Sequence, residues 1–147
     1  MVKILKTLFY RDLNRLKSEI ELYNNDNDIW KTQKGITNSA GNLCLHLVGN
    51  LNTYIGSVIG KSNYVRDREL EFSSKGISKT ELIKKIEETI NIVNKSLDQL
   101  SEEELKMDFP TLVFDEKTST EFMLIHLTTH LTYHLGQINY HRRLLND

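Results

Sequence analysis

Apolar residues recur at steps of three and four through four long stretches of this chain. Val2, Leu5, Phe9, Leu13, Leu16, Ile20 and Tyr23 mark the first, a single buried stripe that predicts an amphipathic helix from about Val2 to Asn24. The cluster Asn24-Asn25-Asp26-Asn27-Asp28 ends it, because short polar side chains compete for backbone hydrogen bonds and favour turns. The second stretch, about Gly41 to Ile59, sits in a segment with no charged residue between Thr37 and Gly60. A helix neutral all round is expected at the centre of a fold, with Ser39 or Asn38 placed to cap its start and Gly60 its end.

The third stretch opens with Ser78-Lys79-Thr80-Glu81, a capping-box pattern, and buries Ile83, Ile86, Ile90, Val93, Leu97 and Leu100. Lys84, Lys85, Glu87, Glu88 and Lys95 form its solvated side. The fourth runs from Ser119 to about Asn146 behind a second box, Thr118-Ser119-Thr120-Glu121, with Arg142 and Arg143 in its last turn, where cations suit the helix dipole. Lys61 to Ile77 reads as a loop carrying the charged run Arg66-Asp67-Arg68-Glu69, and Ser101 to Glu104 as a short extra turn. Met107 to Lys117, with the only proline (Pro110) and the apolar Phe109, Leu112, Val113 and Phe114, reads as a long connection packed across the helices. Four such helices predict one all-α domain, an antiparallel four-helix bundle with longer crossover loops.

Composition narrows the class. A chain of 147 residues can bury a real core as one domain. Its 19 Lys and Arg against 20 Asp and Glu, interspersed along the chain, give no general pull toward nucleic acid or acidic membranes. A single cysteine, Cys44, allows no internal disulfide and fits a reducing compartment. Lys3 and Lys6 interrupt the apolar N-terminal stretch, so no signal-peptide core is expected. No run approaches the roughly 20 apolar residues that span a bilayer. A cytoplasmic protein, with no membrane or nucleic-acid partner, is the expectation.

The chemistry sits in the fourth helix, which carries four of the five histidines: His126, His130, His134 and His141. At about 100° per residue, His126, His134, Gln137 and His141 all fall within about 40° of His130, and Leu127, Leu131 and Ile138 follow at about +60° to +100°. The imidazoles thus border the apolar stripe and can line a pocket. Two histidines at i and i+4 can chelate one ion, although such pairs also arise by chance on many helices. His126 and His134 are about 12 Å apart along the axis, so one ion takes either 126/130 or 130/134. The spacing does not choose between them. His46, in the charge-free helix, is a candidate third ligand; its plainer reading is a hydrogen-bonded core histidine. Asn42, Asn50 and Tyr54 share its face, and a polar stripe on such a helix suggests a cavity. Cys44 points about 200° away from His46, so a Cys-His nucleophile pair is not expected; core packing is. Trp30 is expected to pack its loop onto the bundle. No Glu-x-x-His, no His-Glu-x-x-His, no phosphate-binding glycine motif and no paired-cysteine motif occurs. Three neutral imidazoles suit Zn²⁺, Ni²⁺ or Fe²⁺ with positions left open.

The segment His130-x-x-Tyr133-His134-Leu135-Gly136-Gln137-Ile138 resembles the final-helix motif of the DinB-like superfamily of metal-binding four-helix bundles. Asn42-Leu43-Cys44-Leu45-His46-Leu47-Val48-Gly49-Asn50-Leu51 resembles its second-helix half, and Tyr64 to Phe72 resembles one bacterial branch of it. The resemblance implies that His46, His130 and His134 hold a divalent ion, with Zn or Ni first and Fe or Mn next. It makes His126 a neighbour and Asn50, Tyr54, His126 and Gln137 pocket residues. It also implies a metal-dependent transfer of a small thiol to an electrophile, or a related hydrolysis, and a homodimer. Many relatives carry an acidic residue or a second histidine where this chain has Asn50, which argues against a strong general base there. The alternative from a different class is a non-catalytic bundle whose histidines form a structural or sensory metal site.

Overall fold

The computed structural model describes residues 1–146, which form five α-helices and no strand among them. The first, α1 (Val2–Glu21), stops three residues before the predicted end. The Asn/Asp cluster after it is not open loop: Asn25 caps a 3₁₀ turn, Asp26–Trp30. Next, α2 (Ala40–Leu51) starts on Ser39, whose hydroxyl accepts the Asn42 N–H, and continues as a π-helical segment, Asn52–Ile59, up to Gly60. Side chains support the wider turn. The Asn52 amide donates to the Val48 carbonyl and to Thr89 Oγ1, and the Thr53 hydroxyl donates to the Gly49 carbonyl. These side chains add acceptor contacts at the carbonyls where the α-helix passes into the wider turn.

The predicted loop before the third stretch contains a helix, α3 (Arg68–Ser73), capped by Asp67 through the Leu70 N–H. Six residues are too short to show an apolar period, so the pattern read only charge there. Then α4 (Lys79–Leu97) and α5 (Thr120–Leu145) begin at Ser78 and Ser119, whose hydroxyls accept the N–H of Glu81 and of Phe122. Ser101 and Glu104 form a reciprocal cap before a 3₁₀ turn, Glu104–Lys106. The long connection is closed by a bridge between Asp108 and Ser119.

The long helices pack on one another: α1 against α4 and α5, α2 against α3, α4 and α5. Leu5, Phe9, Leu16, Leu47, Leu51, Leu82, Ile86, Leu127, Leu131 and Ile138 are buried between them. A buried aliphatic side chain of this kind stabilises by about 1.5–3 kcal/mol, so the stripes read from the sequence are what hold α2 and α5 face to face. Trp30 packs its loop as expected, lying against Gly41 and donating from Nε1 to the Ile77 carbonyl at 3.1 Å. No helix of the described residues is long and apolar enough to cross a membrane.

Candidate metal centre

Packing of α2 on α5 brings His46 to His130 and His134. One ring nitrogen from each of the three lies within 4.8 Å of the others. His46 and His130 face each other through Nε2 at 3.2 Å. The ring centroids are 5.1 Å apart for His46–His130, 5.3 Å for His46–His134 and 4.6 Å for His130–His134, all edge-on.

The opposite nitrogens are occupied in two of the three rings. His46 Nδ1 lies 3.1 Å from Glu71 Oε1, and His134 Nδ1 lies 2.7 Å from Gln137 Oε1. Gln137 Oε1 accepts, so His134 donates from Nδ1 and its Nε2 carries the lone pair; His46 Nδ1 has a second neighbour, Arg66 Nη2, at 3.3 Å. His130 Nδ1 is buried with no partner. Burial, then the neighbouring His134, His46 and His126, push His130 down to about 4. Burial is also the main cause that holds His46 below its ordinary value. His130 is therefore neutral near pH 7, as ligation requires.

A tetrahedral ion with histidine bonds of 2.0–2.1 Å holds its nitrogens about 3.4 Å apart. His46 and His130 already stand near that separation at 3.2 Å, all three nitrogens lie within 4.8 Å, and the donor set is one that Zn²⁺, Ni²⁺ or Fe²⁺ accepts. The residues fit such an ion.

The other residues singled out from sequence are placed as follows. His126 stacks on His130 with centroids 6.1 Å apart and meets Phe114 edge-on at 4.9 Å. Asn50, one turn after His46, is buried, and its Oδ1 has no partner. Tyr54 lies in the π-helical segment, edge-on to Phe109. Gln137 is exposed and tied to His134, and both border a cleft of about 680 Å³ that also touches Ile36, Leu43, Tyr133 and Tyr140. His141 stands apart from the cluster. Its Nε2–H donates to the Lys31 carbonyl at 2.9 Å and its Nδ1 accepts from Tyr23 Oη at 2.6 Å, a buried latch between α5, the turn after α1 and the Trp30 loop. Cys44 is fully buried, and burial pushes its thiol up to about 12, so packing is its role.

Helical periodicity misses one residue of the site, Glu71, and places a second, Asn42, on the His46 face without its partner. Glu71 is 5% exposed and takes Arg66 Nε at 2.7 Å and Nη2 at 2.8 Å. Asn42 donates to the carbonyls of Glu71 and Ser74 and ties α3 to α2. The polar stripe on α2 is thus partly the seat of α3. For Glu71 the sequence signals were the charged run around Arg66, which alternates sign as a solvated face also would, and the resemblance noted over Tyr64 to Phe72.

No functionally curated protein matches this chain. A crystal structure described as the conserved protein of a locus from Enterococcus faecalis superposes with a TM-score of 0.77 at 14% identity, over 99% of this chain and 96% of that one. At that identity the likeness speaks for the fold. Residues 4–147 match the family described as Protein of unknown function (DUF1572), and the chain belongs to that family.

Proposed function

We propose that this protein is a divalent-metal enzyme in which His46, His130 and His134 hold one ion, Zn²⁺ or Ni²⁺ in first place, inside an antiparallel four-helix bundle of the DinB-like kind. The observation that carries the reading is the convergence of three imidazole nitrogens, from two helices far apart in sequence, within 4.8 Å. Among the described residues the cluster has three protein donors, fewer than the four of a closed structural site. When bound, a divalent ion supplies Lewis acidity, lowering the pKa of a coordinated thiol or water toward neutrality. The reaction class is conjugation of a small thiol through its sulfur to an electrophilic carbon: the S–C bond forms as the thiol gives up its proton and the carbon releases a leaving group or takes the electrons of its own π bond; hydrolysis, with water in the thiol's place, is its close relative.

The chain's own groups hold and shape this site. Gln137 fixes the His134 ring and Glu71 the His46 ring. His126, stacked on His130, and Asn50, with its free amide oxygen, border the reacting space. Tyr54 lies one turn further along that face.

The test pairs thiol-dependent consumption of small electrophiles with a thermal melt. Protein reconstituted with Zn²⁺ or Ni²⁺ is expected to turn over, whereas the chelator-stripped protein and a folded His134→Ala variant lose turnover. Metal at a hundredfold excess over its Kd should stabilise the wild type by about 2.7 kcal/mol. Stabilisation without turnover on any electrophile would favour the sensory or structural alternative. Full activity after stripping would contradict the enzyme reading.

A further inference from the structure

His46 Nδ1 has two polar neighbours of opposite character. Glu71 Oε1 is 3.1 Å away and Arg66 Nη2 is 3.3 Å away. A carboxylate only accepts and a guanidinium only donates, so the ring must side with one of them. Arg66 already spends two N–H groups on Glu71, at 2.7 and 2.8 Å. A bare Nδ1 would set its lone pair against the carboxylate, whereas a protonated Nδ1 makes a charge-assisted bond to it. The balance favours Nδ1–H.

The surroundings are built to keep Glu71 in place. Its backbone and that of Ser74 receive the Asn42 amide, and Asp67 caps the helix that carries it. Phe72 lies 5.1 Å from the His46 ring. Gly49 leaves room for the carboxylate against α2, where a Cβ would stand 2.0 Å from Oε2.

We infer that Glu71, clamped by Arg66, is the positioning residue of the metal centre: it fixes His46 as the Nδ1–H tautomer and aims Nε2 at His130 and His134. This rests on the metal reading above. The pair Glu71–Arg66 is neutral as a unit, and Glu71 is spent on the side of His46 away from the cluster. The three neutral imidazoles therefore leave an ion its full double charge. Carboxylates behind ligating histidines usually matter about 10–100-fold in metal affinity.

Two measurements test it on the full chain. In the metal-free wild type, long-range ¹H–¹⁵N NMR of the imidazoles is expected to place the His46 proton on Nδ1. Glu71→Gln puts an amide NH₂ where one carboxylate oxygen stood, so either the Arg66 Nε bond is lost or an N–H faces His46 Nδ1, and the single tautomer should be lost. Affinity for Co²⁺ alone, measured by competition with a chromophoric chelator, should fall about 10–100-fold, with helical content unchanged. If Glu71→Gln does not fold, Arg66→Lys carries the test: it keeps the charge but loses the two-pronged clamp, and a smaller loss of affinity is expected. His46 protonated on Nε2 in the wild type would overturn the inference, as would wild-type Co²⁺ affinity in the folded variant. If the wild type binds no Co²⁺, the metal reading fails, and the tautomer measurement still decides the role of Glu71.

Discussion

Replacing Gly49 with alanine is expected to destabilise the protein by about 2 kcal/mol, although alanine is the better helix former by about 1 kcal/mol. The new methyl carbon would stand 2.0 Å from Glu71 Oε2 and 2.7 Å from its Cδ. A free glutamate would swing away at little cost. This one is held by two Arg66 hydrogen bonds and by His46. Moving it leaves a half-buried guanidinium without its partner, and breaking such a pair outweighs the gain in propensity. Gly136, also within a helix, has nothing within 4 Å of an added Cβ, so Gly136→Ala should gain about 0.5–1 kcal/mol. Urea denaturation of both variants checks the pair. Stabilisation by Gly49→Ala would mean that Glu71 is free to leave, and that the packing of α3 on α2 is loose.

Acid should destabilise the metal-free protein through His130. Its folded-state value is pushed down to about 4 from an ordinary 6.5, chiefly by burial. Above pH 6.5 both states carry a neutral ring and His130 adds no pH dependence. As pH falls from 6.5 toward 4, the unfolded chain takes up a proton that the folded chain refuses, so stability declines through that window and levels off below it. The whole shift corresponds to roughly 3 kcal/mol, and water reaching the half-buried ring trims the expected loss to about 2 kcal/mol. His46, also depressed by burial, acts in the same direction. Denaturant titrations in chelator between pH 7.5 and 4.5 should show the decline in the wild type and a flatter profile in His130→Asn. Equal slopes would mean that the ring takes up its proton alike in the folded and the unfolded chain.

The long helices were legible because each one buries a stripe. Leu5, Phe9, Leu13, Leu16 and Ile20 are all at most 2% exposed, and period and burial coincide. The helix starts were legible because caps are local chemistry: Ser39 and Ser78 each accept an N–H three residues on, while the fourth helix is capped by Ser119 through the Phe122 N–H, one residue past the Thr118 that heads the box pattern. The π-helical segment was not legible, because Asn52 owes its buried position to Thr89 on another helix as well as to the Val48 carbonyl. Nor was α3: its six residues are held by Asn42 and by the pairing of Glu71 with Arg66, contacts that no periodicity records.

The candidate site divides the same way. Helical spacing placed His130 and His134 on one face but left His126 an equal claim, and the packing of α2 on α5 sets His46 beside 130 and 134. His141 shares the angular position of the others, yet Tyr23 and Lys31 take both its nitrogens. An angle on a helix says nothing of which neighbour lies opposite a given turn. Glu71 was hidden for the converse reason: it reaches His46 from 25 residues away in a segment with no helical stripe.

The central claim is that His46, His130 and His134 hold a metal ion. The most direct measurement is elemental mass spectrometry of untagged protein purified without chelating resin, beside a folded His130→Ala/His134→Ala variant. Near-stoichiometric zinc or nickel in the wild type, lost in the variant, is the predicted result. A wild type that is empty, and stays empty when offered zinc, nickel, iron or manganese, would contradict the claim and leave the three imidazoles as a hydrogen-bonded cluster without metal.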